Sequence, residues 1–201
     1  KGLSGVQNAK TIVIHSRSAA SNSSFSLVGK YLGSAEVLFH ELVIEGEPNR
    51  DTIECLAKIL EDHRPDAIVS VGGGSILDSS KLACLLYEHG NLNSHQLRRP
   101  FGSGTIQNID HYAIPTTLSG SETSSAAVYL EGNSKIPVVS HDFLPRAFFL
   151  DPAFIQTLPS SLKVETALDA FTHAVEGFTS KVPHPLMDVF AIEAIRLLRV
   201  N

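Results

Sequence analysis

The run Val69-Ser70-Val71-Gly72-Gly73-Gly74-Ser75-Ile76-Leu77-Asp78 constrains this chain more than any other stretch. Apolar β-formers lead into three glycines, a serine stands where a helix begins, and Asp78 follows in its first turn. The order is strand, tight turn, helix. Such a junction aims several backbone N–H groups at one point, with the positive end of a helix dipole behind them. Glycine lets an anionic ligand approach the main chain with no Cβ in the way. The run is neither GxGxxG nor GxxxxGK[ST], so spacing alone leaves a phosphate-binding turn and a plain βα turn both open.

The segments around it repeat the same alternation. Thr11–His15 reads as a buried strand, a polar stretch follows, and Phe25–Leu32 reads as a short helix. Ala35–His40 is a second strand. Asn49, preceded by Pro48, is placed to cap a helix on which Ile53, Leu56, Ala57 and Leu60 form one apolar stripe. Pro65 ends that helix, Asp66–Val71 is the strand feeding the glycine turn, and Ser75–Tyr87 is the helix after it. This βαβαβα order predicts an α/β fold, a Rossmann-like parallel sheet covered by helices, with ligands at the carboxyl ends of its strands. A polar connector, Gly90–Asp110, leads to the strand His111–Ile114 and the hydroxyl-rich loop Pro115–Ser125. Ala126–Leu130, Ile136–Val139 and Ala147–Leu150 are further short strands. From Asp151 the pattern turns helical, over Ser160–Phe178 and Pro185–Arg199. The expected division is therefore an α/β domain over residues 1–150 and the start of an all-helical domain over 151–201. The chain stops one residue after an apolar helix, which reads as a cut within that second domain.

The 201 residues carry a net charge of −5, which gives no electrostatic case for nucleic acid or an anionic membrane. No apolar stretch reaches membrane-spanning length and no signal-peptide core opens the sequence. The expectation is a soluble cytoplasmic protein. Cys55 and Cys84 are far apart and lack metal-ligand spacing, so both read as buried small apolar residues in a reducing compartment. Phe148, Phe149 and Phe171 read as core.

Two groups of residues carry chemistry. Asp169 and His173 stand at i and i+4, on one helix face, a spacing that suits two ligands of one divalent ion or an ordinary hydrogen-bonded pair. Thr116, Thr117, Ser119, Ser121 and Glu122 sit in a loop after a strand, where hydroxyls and free N–H groups suit ribose and phosphate or simply form a polar turn.

Four stretches, in order, resemble the iron-containing (group III) alcohol dehydrogenases: Pro48-Asn49, GGGSILDSSK (Gly72–Lys81), IPTTLSGSE (Ile114–Glu122), and LPRAFFLDPAFIQTLP (Leu144–Pro159) leading into ALDAFTHAVEGFTS (Ala167–Ser180). The likeness covers nearly the whole chain. It implies a dehydroquinate synthase-like architecture, with the active site in a cleft between a dinucleotide-binding domain and a helical domain. It implies that Gly72, Gly73, Gly74 and Ser75 hold the cofactor diphosphate, that Asp78 lines the same pocket, and that Asn49, Thr116, Thr117, Ser119 and Lys135 touch the cofactor. Asp169 and His173 match two of four protein ligands of a catalytic metal, Fe²⁺ or alternatively Zn²⁺. The implied reaction is hydride transfer between NAD or NADP and a small alcohol or aldehyde, by an enzyme of a family that tends to form dimers or larger assemblies.

Three departures accompany the likeness. The family's two later histidine ligands are missing, so the isolated 201-residue chain is expected to be inactive or nearly so. After the first strand, where the family often has an acid that bonds the adenosine ribose, this chain has His15-Ser16-Arg17. Ser16 and Arg17 thus leave NADP as plausible as NAD. PTTLSGSE also resembles the maleylacetate reductase branch, which is held to work without metal. A truncated nucleotide-binding module without catalysis is the remaining alternative.

Overall fold

The computed structural model describes residues 6, 9–32, 36–44, 46–90, 92–102, 104–182 and 184–200. Ala35 and Asn201 lie outside the described residues. The chain opens with β1 (Thr11–His15), a single turn of helix α1 (Arg17–Ala20), α2 (Phe25–Leu32) and β2 (Val37–Glu41). It continues through α3 (Arg50–His63), β3 (Ala67–Gly72), α4 (Gly74–His89), the short α5 (Ser94–Leu97) and β4 (Asp110–Pro115). A hairpin of β5 (Ala126–Glu131) and β6 (Ser134–Val139) precedes β7 (Ala147–Phe148), and the helices α6 (Pro152–Gln156), α7 (Ser160–Phe178) and α8 (Pro185–Val200) follow.

β2-β1-β3-β4-β7 is the strand order of one sheet, and every neighbouring pair in it is parallel. β1 and β3 are buried along their whole length, as continuous Val/Ile runs flanked by helices should be. On one face Ile12, Ile14 and Ile68 pack against the α3 stripe, α4 and the hairpin. On the other, Val13, Val69, Val71 and Ile114 pack against Val28 and Leu32 of α2 and Phe154 of α6. The chain leaves β1 for β2 on one side and returns to β3 on the other. The carboxyl ends of β1 and β3 therefore flank a topological switch point, where doubly wound sheets take their ligands.

Local chemistry sets the element ends. The Asn49 side chain accepts from Thr52 N at 2.9 Å and starts α3, while Arg64 at φ 46° closes it. Asp151 caps α6 with Pro152 in the first turn, through a 2.9 Å bond from Ala153 N. The polar connector Gly90–Asp110 holds α5, started by Asn93 accepting from Gln96 N at 2.9 Å.

Two burial expectations are corrected. Cys84 is buried, but Cys55 is exposed, because it falls on the face of α3 opposite Ile53, Leu56, Ala57 and Leu60. Phe149 is partly buried, whereas Phe148 and Phe171 are exposed. Phe148 lies on a two-residue edge strand, and no residue of α7 is buried. α7 and α8 leave Val164, Leu168, Val189 and Phe190 exposed as well.

His111, enclosed in β4, shares a 2.9 Å hydrogen bond between its Nε2 and Ser70 Oγ. Burial, helped by the Lys81 charge, pushes its pKa down to about 3. Below about pH 6.5 the unfolded chain binds a proton that the folded chain refuses, so this contribution is complete above that pH and is lost as pH falls toward the folded value. The slope is at most about 1.4 kcal/mol per pH unit. His111→Gln should flatten the loss of thermal stability between about pH 6.5 and 4, as melts across that range would read.

Candidate functional site

The glycine turn sits at the carboxyl end of β3. Gly73 is the N-cap of α4 and brings no side chain to its first N–H groups. Those groups have no partner inside the helix, and the helix dipole makes their neighbourhood positive. None of Gly72, Gly73 and Gly74 has a positive φ, so close approach rather than backbone freedom requires them. A Cβ at Gly72 would lie 2.5 Å from Ile76 Cγ1; at Gly73 it would lie 3.1 Å from Thr117 Cγ2, and at Gly74 3.1 Å from Ser119 Oγ. At Gly73 and Gly74 the turn meets the hydroxyl loop so closely that a methyl group would push the loop back by a few tenths of an ångström.

Thr116 N donates to Gly72 O at 2.9 Å and extends the pairing of β3 with β4 into both loops. Ser75 Oγ donates to Gly46 O at 2.6 Å and ties the first turn of α4 to the segment before α3. That segment is joined to the hairpin by Leu130 N donating to Pro48 O at 2.7 Å. Asn49 spends its side-chain oxygen on the α3 cap. Ser119 Oγ is buried and has no hydrogen-bond partner among the described residues. A buried hydroxyl left unpaired beside an uncapped helix end is a place where a ligand's oxygen would gain a bond.

Asp78 is placed differently from the residues facing the turn. One carboxylate oxygen accepts from Ser121 Oγ at 2.5 Å and the other from Val128 N at 2.9 Å. Burial raises its pKa despite these bonds and the nearby Lys81 charge. Lys81 is itself fully buried, and its Nζ donates to the carbonyls of Ser121 (2.6 Å), Ser124 (3.0 Å) and Ala126 (3.0 Å) and to Ser121 Oγ (3.1 Å). Burial lowers the Lys81 pKa to about 8, while Asp78 and Glu122 oppose the shift. Sequence reasoning gave Lys81 no role. Its only local signal is the i, i+3 spacing from Asp78, since the carbonyls it gathers lie some forty residues on.

At the end of β1, Ser16 Oγ caps α1 by accepting from Ala19 N at 3.1 Å. Arg17 does not stand alone. Its Nε donates to Glu41 Oε1 at 3.1 Å, and Glu41 ends the neighbouring strand β2. Lys135 on β6 pairs with Glu47 Oε1 at 2.7 Å; this hydrogen bond leads the causes that raise its pKa, and Asp169 adds to them. Asp169 and His173 lie one turn apart on α7, with His173 Nε2 3.9 Å from Asp169 Oδ1 and both side chains exposed. Adjacent tetrahedral ligands at usual zinc bond lengths stand roughly 3.3–3.5 Å apart, so these two atoms would have to close slightly to share one ion. Among the described residues, no group of three His, Cys, Asp or Glu is placed to hold an ion.

The architecture is that of a doubly wound α/β protein with its glycine turn at the switch point. Comparison with known proteins narrows the class. Residues 3–152 match the family model for iron-containing alcohol dehydrogenase. The fold superposes on the iron-containing alcohol dehydrogenase from Thermococcus thioreducens with a TM-score of 0.86 at 28% identity, covering 96% of this chain and 53% of that one. The NAD-dependent methanol dehydrogenase of Bacillus methanolicus is 33% identical over 146 residues, 70% of this chain and 37% of that protein. The NADPH-dependent butanol dehydrogenase of Clostridium saccharobutylicum is 29% identical over 182 residues, 87% of this chain and 47% of that protein. This chain belongs to the iron-containing alcohol dehydrogenase family, and it spans about half the length of such relatives or less. Among the described residues, no helix is long and apolar enough to cross a membrane.

Proposed function

We propose that this chain is the dinucleotide-binding part of an NAD(P)-dependent, metal-assisted dehydrogenase of small alcohols or aldehydes. The observation that carries the reading is the uncapped start of α4 packed against Thr117 and Ser119, with the Ser119 hydroxyl buried and unpaired. In this reading the N–H groups at Gly74 and Ser75 bind the cofactor diphosphate, and Thr116, Thr117 and Ser119 line the crevice beside it. Asp78 lines the same pocket and also holds Ser121 and Val128. Asn49 and Lys135 flank the mouth from the α3 start and the hairpin. Asp169 and His173 offer one carboxylate oxygen and one imidazole nitrogen to a divalent ion. Together, bound dinucleotide and ion supply hydride exchange and polarisation of the substrate oxygen. Residues 1–150 carry the cofactor, and 151–201 begin the metal-binding helical part. Cytoplasmic residence and pairing of two copies belong to the same proposal.

Titrating the chain with NADH and NADPH, followed by nicotinamide fluorescence, tests the first half; absence of binding by either would end it. In the full-length protein, His173→Ala should lower iron or zinc content about tenfold or more while the fold stays intact, because losing one of a few ligands removes well over 1.4 kcal/mol of metal affinity. Unchanged metal content would make Asp169 and His173 an ordinary helix pair and favour a metal-independent, maleylacetate reductase-like enzyme.

A further inference from the structure

We infer that Glu41 sets the dinucleotide preference of this chain in favour of NAD(H), by engaging Arg17 and placing a carboxylate where a ribose 2′-phosphate would come. The inference rests on the proposed binding of a dinucleotide at the glycine turn. It draws on the sheet order and the charge pair at the ends of β1 and β2. Ser16 N donates to Val71 O at 3.1 Å, so Arg17 begins one residue past a strand end bonded to the strand that feeds the turn. His15 stands in register with Glu41, and Leu42 N donates to His15 O at 2.8 Å, which holds the end of β2 against β1. Strands are about 4.8 Å apart, so Glu41 lies roughly 10 Å across the sheet from the turn, within reach of a nucleoside attached to a diphosphate held there.

The Arg17 guanidinium is a cation at this edge suited to a phosphate, and it is already paired. Arg17 meets Glu41 Oε1 through both Nε (3.1 Å) and a terminal nitrogen (3.1 Å). A phosphate arriving beside Arg17 would face the carboxylate as well, and like charges at that range repel. A ribose with a free 2′-hydroxyl meets no such penalty and can donate to the carboxylate, the pattern that acids at strand ends show toward NAD. A sequence search for an acid directly after the first strand misses Glu41, because it reaches the site from the neighbouring strand.

The test is direct binding of NADH and of NADPH to the wild-type chain and to Glu41→Gln. Both side chains of the pair are partly or largely exposed, so the substitution leaves the core untouched. The wild type should bind NADH more tightly. Glu41→Gln should raise the affinity for NADPH relative to NADH about tenfold, and Arg17→Ala added to it should reverse that gain. Tighter NADPH binding by the wild type, or an unchanged ratio in Glu41→Gln, would overturn the role of Glu41 and leave dinucleotide binding standing. Failure of both dinucleotides to bind the wild type would overturn both readings together.

Discussion

Lys81→Met should destabilise the fold by about 3–5 kcal/mol and loosen dinucleotide binding, because it removes the cation from a buried charged network. Lys81 gathers three carbonyls and one hydroxyl from the segment that follows the Thr116–Ser119 loop. Methionine fills a similar volume but donates nothing. Each orphaned carbonyl then carries its own desolvation cost of about 1–3 kcal/mol unless the segment moves to find water. Such movement pulls Ser121 from Asp78 and shifts the loop that packs on the glycine turn. Asp78→Asn should cost less, because an amide oxygen can still accept from Val128 N. Denaturant titration of the two variants, with NADH binding measured on each, checks the order. Equal and small losses would show that the ammonium contributes little here.

Gly73→Val should weaken dinucleotide binding about 100-fold, roughly 2.7 kcal/mol, with a smaller effect on stability. A Cβ at this position already meets Thr117 Cγ2 at 3.1 Å, and two further methyl groups must push turn and loop apart. The cost falls on the crevice, since Gly73 and Thr117 are both only partly buried and lie outside the core. Gly72→Ala offers the contrast. Its Cβ would meet Ile76 at 2.5 Å, inside the first turn of α4, and the damage there is overpacking of the fold itself. Calorimetric titration with NADH separates the two. Retained affinity in Gly73→Val would mean that the ligand does not use the turn.

The sequence makes some of this arrangement legible and hides the rest for physical reasons. The strand-turn-helix order at Val69–Asp78, the Asn49 cap and the α3 stripe are local, so a short window contains them. The edges of β2 are less so: expected at Ala35–His40, the strand runs over Val37–Glu41, and as an edge strand it carries no continuous apolar run to mark its ends. α5 escaped notice because a four-residue helix held by Asn93 has no periodicity to show. Cys55 was misread because small apolar character does not say which face of α3 a residue occupies. Lys81 with Ser121–Ala126, and Arg17 with Glu41, depend on strand order and loop return. Neither can be seen until the sheet is assembled. Resemblance to the family points to the turn, to Asp78 and to Asp169 and His173, while the bonds that Asp78 accepts from Ser121 and Val128 depend on the assembled fold.

Every residue from Ile76 to Leu86 in α4 is buried. Local opening in a folded chain starts where few apolar contacts hold the backbone and reaches enclosed segments last. The two walls of the crevice therefore differ in stiffness. The wall built on α4 is an anvil, fixed on the timescale of global unfolding. The hydroxyl-bearing wall has fewer enclosed residues and is held by the Thr116 N bond to Gly72 O at one end and, just beyond it, by the Lys81 ammonium.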